Sequence, residues 1–251
     1  MLYVEARIRA DLDVLWERTQ DPARHQRWDL RFTEIAPLPS APGAPQRFRY
    51  ATRVLPFLTV AGTGVSAGER HRAGGERVSA LRFSSPHPLS LLAEGSGYWR
   101  YVPTPDGIRF LTGYDYRPRW GRFGVLADRL VFRPLMGWAT AWSFDRLRLW
   151  CERGISPARS LAYALAEAAV RTAAVLAGAA GVSAGLLPGA GGGGPVSEGG
   201  GPVAALCALA LTAVALLVPP SPRTPAARRC LRTPPPRSAA PRLLATLEHP
   251  S

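Results

Sequence analysis

The chain has 251 residues and a formal charge of +13, and every one of its 31 basic residues is arginine. Its averages, 47% hydrophobic and 20% charged, hide a segregation: the 47 residues from Thr172 to Val218 hold one charge, Glu198, where the chain-wide frequency predicts about nine. That asymmetry excludes a single uniform soluble globule. Arginine without lysine, beside abundant Ala, Gly and Pro, reflects GC-rich coding and is discounted as a sign of nucleic-acid binding. The three cysteines, Cys151, Cys207 and Cys230, are too widely spaced for a metal knuckle, and an odd count argues against a disulfide framework. A reducing compartment is the expectation. The N-terminus lacks the continuous apolar run of a signal peptide, which places the first part of the chain in the cytosol.

In chain order, Leu2, Val4, Ala6 and Ile8 share one parity, the period of a half-buried strand. Asp11 is an N-cap for a short helix carrying Val14, Leu15 and Trp16, and Asp21-Pro22 closes that helix or opens another turn. Strand-like runs follow at 30–36, 46–54, 57–66, 77–84, 95–102 and 108–117, divided by turn signals such as Gly74-Gly75 and Pro105-Asp106-Gly107. After Arg119 the period changes to that of a helix, with Phe123, Leu126, Leu130, Leu135, Trp138 and Trp142 on a wide apolar stripe. Pro134 bends or divides this helix, and Gly154 with Pro157 ends it. The pattern predicts an α+β domain in which a curved antiparallel sheet wraps a long C-terminal helix.

This layout, with the run Ala10-Asp11-Leu12-Asp13-Val14-Leu15-Trp16, the pair Asp21-Pro22, the WDLRF run from Trp28 to Phe32 and the segment from Asp128 to Trp150, resembles the SRPBCC or START-like superfamily. That superfamily includes polyketide cyclase/dehydrase and lipid-transport proteins, and the resemblance is to a bacterial branch with C-terminal membrane segments. It covers residues 1–153 and implies a helix-grip fold around an apolar cavity. The superfamily is functionally broad, so the fold does not settle the function.

Residues 154–160 read as a linker. Two apolar segments follow: 161–187, the weaker, rich in Ala and Gly and holding Glu167 and Arg171 at i and i+4, and 202–218, without a charge. Between them lies a Gly-rich loop, 188–201, and beyond them a Pro- and Arg-rich tail, 219–251, expected to be disordered. Arginines flank both apolar segments and the intervening loop has none. The positive-inside rule therefore predicts a transmembrane helical hairpin in the cell membrane, with the N-terminal domain and the tail cytoplasmic. Arg223, Arg228, Arg229 and Arg232 would then meet anionic lipid headgroups. Gly181 and Gly185 form a small-xxx-small face for close helix approach.

Candidates for chemistry are few. His25 reads as a surface-turn residue, no His, Cys, Asp or Glu cluster has metal-ligand spacing, and nothing calls for a cofactor. Aromatic residues carry the stronger signal. Trp28, Phe48, Tyr50, Tyr98, Tyr101, Phe110, Tyr114, Tyr116, Trp138 and Trp142 are the expected cavity lining, with core packing as the competing reading. Arg100, Arg109 and Asp115 are the expected polar groups of that cavity. Cys230, flanked by arginines, is expected to be exposed and to favour its thiolate.

The first expectation for function is a membrane-anchored domain binding a hydrophobic small molecule or lipid at the cytoplasmic face. The rivals are a cyclase, aromatase or dehydratase-type enzyme using the same cavity, and a non-catalytic interaction module whose core is filled by side chains. Nucleic-acid binding is not expected, since no recognisable motif accompanies the arginines.

Overall fold

The computed structural model describes residues 1–41, 43–72, 74–186 and 200–235. The chain divides into two compact units, Met1–Ala158 with Pro225–Ser251, and Arg159–Thr224.

In the first unit, β1 (Leu2–Ile8) leads into α1 (Leu12–Gln20) and α2 (Pro22–Trp28). Each helix is opened by an aspartate: Asp11 accepts from the Asp13 amide at 2.7 Å and Asp21 from the Ala23 amide at 2.8 Å. Asp21 also terminates α1, and Pro22 takes the first helical turn, where its missing N–H costs nothing. The chain then runs through β2 (Glu34–Leu38), β3 (Arg47–Leu55), β4 (Leu58–His71), β5 (Arg77–Ser84), β6 (Leu92–Thr104) and β7 (Gly107–Pro118). All pairings are antiparallel, and the seven strands lie in the order β1-β7-β6-β5-β4-β3-β2. The second strand begins later than its apolar run predicts. Arg31 and Leu30 are held outside the sheet by Asp29 and by the Ser143 hydroxyl, which accepts from the Leu30 amide at 2.8 Å.

α3 (Gly121–Ala127) passes through a π-helical turn, Asp128–Phe132, into α4 (Arg133–Arg153). The division falls where Pro134 requires it, at the start of α4. Gly154 closes α4 in the left-handed conformation, φ 65°, and its amide donates to the Leu149 carbonyl. Phe110 of β7 stacks on Phe144 of α4 at 4.5 Å between ring centroids, so the even-numbered residues of β7 face the helix. This is the helix-grip arrangement that the resemblance implies. The outer face of the sheet has its own small core of Tyr3, Ala80, Tyr98 and Leu111.

The tail departs from expectation. Residues 225–231, read from composition as unfolded, pack onto the domain. Leu231 and Glu5 exchange two backbone hydrogen bonds of 2.9 Å, which pairs the free edge of β1. The Ala226 amide and the Arg229 guanidinium donate to Asp145 Oδ2 at 2.8 and 2.9 Å, while Arg148 holds Oδ1 at 2.7 Å. Asp145 is fully buried in α4. Cys230 is buried too, its thiol donating to the Ala141 carbonyl at 3.3 Å, and burial, with the Asp145 charge second, pushes it up to about 12. The expectation of an exposed thiolate fails because the backbone strap carries the cysteine inward while its charged neighbours stay outside.

In the second unit, α5 (Pro157–Leu186) begins within the stretch read as a linker, and α6 is Gly200–Leu217. Residues Pro157–Ser183 are long and apolar enough to cross a membrane, whereas the described apolar part of α6, Val203–Leu217, is shorter. α5 is thus the longer of the two because it gains length at its start, while 202–218 remains the segment without a charge. Thr212 and Ala208 of α6 lie against Gly178 of α5, and a Cβ at Gly181 would stand 2.9 Å from that of Ala208. The close approach therefore uses Gly178 and Gly181, while the side of Gly185 lies outside the described residues. Glu167 and Arg171 pair at 2.6 Å as their spacing predicts, and Arg171 also donates to the Ala215 carbonyl in the last turn of α6 at 2.6 Å.

Asp145→Ala is expected to destabilise the first unit by about 3–5 kcal/mol, because it leaves buried donors without their acceptor. In the full chain this variant should expose Cys230 to maleimide labelling under native conditions. Continued protection of Cys230 would show that the strap does not depend on Asp145.

Candidate functional site

The helix-facing side of the sheet has two unlike halves. Under α4 it is filled. Phe110 contacts Phe144, Tyr101 and Trp99, with Tyr101 at 4.9 Å and Trp99 at 6.0 Å. Trp28 is fully buried between Trp99 and Phe144, and its indole N–H donates to the Arg18 carbonyl at 2.8 Å. The Tyr101 hydroxyl lies 2.6 Å from that of Thr19 and accepts from Gln20 at 2.9 Å. Trp28, Tyr101 and Phe110 are therefore core residues, and the polar atoms of Trp28 and Tyr101 are satisfied.

The other half, β3 to β6, is built on glycine. Phe48 pairs across the sheet with Gly64, Tyr50 with Gly62 and Phe83 with Gly95. A Cβ on any of these glycines would collide with the opposing ring, so each ring lies down over its glycine and forms a flat aromatic wall. Phe48, Tyr50 and Phe83 are only half-buried. Phe32 meets Tyr50 edge-on at 5.6 Å and continues the wall toward α2. A cleft of about 510 Å³ opens on the outer face of the sheet behind this wall, where Val65, Arg82, Ser96 and Asp115 share one cross-strand row and Thr63, Ser84, Glu94 and Arg117 the next. Its volume is within the range of small-molecule sites, although it opens to solvent.

A buried polar cluster closes the wall at its inner end. Arg31 grips Asp29 with two hydrogen bonds of 2.9 and 2.6 Å, and His25 Nε2 lies 3.1 Å from Asp29 Oδ2. The Arg31 guanidinium also sits over the rings of Phe32, at 5.4 Å, and Tyr114, at 5.7 Å. Tyr114 shares a 3.1 Å hydrogen bond with Thr140 of α4. Burial by itself would raise the Asp29 carboxyl, but the Arg31 charge and its hydrogen bonds outweigh this and hold it well below the usual carboxylate range. Burial lowers His25, with Asp29 opposing, and burial raises Tyr114. His25 is thus an interior residue stacked on Trp28 at 4.9 Å, where its position before Trp28-Asp29 suggested a surface turn. At the β7 end of the wall, the Tyr116 hydroxyl donates to buried Asp128, and Arg133 donates to the same carboxylate at 3.1 Å.

The three polar groups expected beside the aromatic residues all point away from the wall, and Asp115 borders the outer-face cleft. Arg109 pairs with Glu5 at 2.9 and 2.7 Å, Arg100 with Glu76 at 2.8 and 3.2 Å, and Asp115 with the N-terminal amine at 3.4 Å. All three occupy outer-face positions of β6 and β7. Tyr98 belongs to the outer cluster for the same reason. Trp138 is 43% exposed and stacked on buried Trp142 at 6.3 Å, and the helical period, about 200° for two positions, turns both away from the Thr140–Phe144 face. Of the expected lining, Phe48, Tyr50, Tyr114 and Tyr116 remain at the wall. Phe83, Phe32, Asp29 and Arg31 join them. Phe83 and its companions were detectable from Gly62-Thr63-Gly64 and Gly95-Ser96-Gly97, where glycine at alternate positions leaves one face of a strand without side chains. No comparable signal marks the Asp29–Arg31 pair. Among the described residues there is no cluster suited to a metal ion.

No family model matches the chain. A protein of Bacillus subtilis (strain 168), described as the uncharacterized membrane protein YndG, is 50% identical over 165 residues, which cover 65% of this chain. The chain spans 62% of the length of that relative. Among solved structures, a STAR-related lipid transfer protein from Xanthomonas axonopodis is similar at 17% identity and a TM-score of 0.40, covering 57% of this chain and 81% of that one. The ZhuI aromatase/cyclase from Streptomyces sp. R1128 is similar at 16% identity and a TM-score of 0.39, covering 60% of this chain and 95% of that one.

The buried cluster sets the acid sensitivity of the domain. His25, lowered in the folded state, makes the unfolded chain the stronger proton binder as pH falls below about 6.5, and Asp29 adds a second loss below about 4. Stability should therefore decline in two stages on acidification, measured by denaturant midpoint against pH. Asp29→Asn should lower stability at neutral pH by about 3–5 kcal/mol and flatten the lower stage; an unchanged acid profile would contradict this assignment.

Proposed function

We propose that the first unit binds a hydrophobic small molecule or lipid on the wall of Phe48, Tyr50 and Phe83, and that residues 159–224 anchor it to the cell membrane as a two-helix hairpin. The observation that carries the binding reading is the glycine-backed wall. Large rings half-exposed over a sheet lose hydrophobic stabilisation unless something covers them, and an apolar ligand would do so. The arrangement also explains why only one half of the sheet is filled.

Support for the hairpin comes from chain connectivity. The segment 159–224 leaves the first unit after Ala158 and rejoins it at Pro225, and a segment that leaves and rejoins one folded unit crosses a bilayer an even number of times. That reasoning favours a second crossing by α6 even though its 18 residues give only about 27 Å of helix against a hydrocarbon core of about 30 Å. The absence of arginine between the spans and its abundance outside them favour a cytoplasmic domain. Arg223, Arg228 and Arg232 are exposed and suited to anionic headgroups, whereas Arg229 is taken up by Asp145.

A second reading, an enzyme of cyclase or dehydratase type, draws on the buried Asp29, Arg31 and Tyr114 at the inner end of the wall. It predicts that Tyr114→Phe abolishes turnover of an apolar substrate while leaving its binding intact. The interaction-module reading is favoured by the packing of the gripped half and disfavoured by the open one.

Full-length protein in nanodiscs should take up a fluorescent NBD-labelled fatty acid or phospholipid, and extraction should release bound apolar molecules detectable by mass spectrometry. Replacing Phe48 and Tyr50 together by Ala should weaken uptake ~10-fold or more, from the loss of two aromatic contacts. Uptake by the double variant equal to that of the parent would place the binding surface elsewhere; no uptake by either would remove the binding reading.

A further inference from the structure

The segment between the sheet and the long helix has an arrangement that a water-facing helix does not need. From α3 through the π turn to the first turns of α4, only Gly124, Asp128 and Gly137 are fully buried. The sides turned away from the sheet carry Phe123 (69% exposed), Leu126 (54%), Leu130 (65%), Val131 (62%), Leu135 (56%) and Trp138 (43%). Isolated exposed apolar residues need no explanation, but a continuous ridge of this length marks a surface that meets another apolar phase. The same stretch contains exposed Arg122 and Arg129, and its one acid, Asp128, is buried and held by Tyr116 and Arg133. Exposed charge on the ridge is therefore entirely positive. Large apolar residues with interleaved arginines and no exposed carboxylate are the composition of a helix lying in the headgroup region of an anionic bilayer.

We infer that α3 and the start of α4 form a second membrane contact, lying on the surface of an anionic leaflet in addition to the transmembrane anchor. The inference rests on the membrane-anchored reading for its setting, since a tethered domain is held at high local concentration against that surface. It also gives the aromatic wall a position. Phe132, on the π turn of the ridge, packs edge-on against Tyr116 at 5.8 Å, and Arg133 covers the same ring at 5.4 Å. The helix that touches the lipid is thus the helix that packs on Tyr116, at the β7 end of the aromatic wall, so an acyl chain leaving the leaflet would reach the wall along this side.

The test uses the full-length chain with exposed Cys207 and half-buried Cys151 replaced by Ser, buried Cys230 being kept. Single cysteines at Phe123→Cys and Leu130→Cys, and a control at Asp106→Cys in the turn at the opposite end of β7, are labelled with bimane. The protein is reconstituted into phosphatidylcholine–phosphatidylglycerol vesicles containing lipids with a shallow nitroxide. Expected is strong quenching at positions 123 and 130, little at 106, and loss of that difference when Arg122 and Arg129 are both changed to Glu. Fluorescence at 123 and 130 no lower than at 106 overturns the inference, as does efficient cross-linking between copies through position 123 without quenching, which would make the ridge a face for a second copy. Resistance of the same protein to carbonate extraction is scored in parallel. Retained membrane integration without quenching removes only this contact, whereas loss of integration with quenching intact removes the hairpin and leaves the surface contact standing.

Discussion

The arrangement of this chain depends on one buried carboxylate. Asp145 lies in the middle of α4 and is fully enclosed, an expensive position for a charge unless its oxygens are all used. Three donors meet it, Arg148 from its own helix and the Ala226 amide and Arg229 from a strap more than eighty positions later. The carboxylate thus specifies where the C-terminal segment rejoins the domain. From there Leu231 reaches the edge of β1 and Cys230 is carried into the interior. A chain that closes on itself in this way turns everything between Ala158 and Pro225 into an insertion with both ends in one place.

That closure bears on how the apolar segments are understood. Taken alone, α5 passes the length requirement for a membrane helix and α6 is marginal. As the two arms of one insertion they are constrained together, and the contacts of Gly178 and Gly181 with α6, together with Arg171 on the Ala215 carbonyl, describe two helices packed as an antiparallel pair. The same economy appears in the sheet. Bulky rings stand under α4 where they can interlock, and lie flat over glycines where no helix covers them. One face of one sheet therefore provides both a rigid core and an open apolar surface.

Much of the fold was legible in the sequence because it follows from local rules. Parity identified the strands, Asp11 and Asp21 identified helix starts, and Pro134 marked the break before α4. Register was not legible, and register decides which face a residue occupies. Tyr98, Arg100, Arg109 and Asp115 were expected inward as neighbours of aromatic positions, but alternation sends all four outward. The strap escaped because composition reports the average tendency of a segment to bury surface, whereas residues 225–231 are fixed by a few specific hydrogen bonds to distant partners. The Asp29–Arg31 pair escaped for a related reason: two residues apart, they look like ordinary surface charges, and only the surrounding Trp28, Phe32 and Tyr114 make them interior.

The central claim is that residues 159–224 leave the folded unit, cross the membrane twice and return to it. A cysteine introduced at Ser197, in a chain whose Cys151 and Cys207 are replaced by Ser and whose Cys230 is buried, tests it in intact cells with a membrane-impermeant maleimide. The account predicts labelling at position 197 from outside, with a cysteine at Asp106 reached only after lysis. Labelling of both positions only after lysis would contradict the hairpin and place the insertion on one side of the membrane.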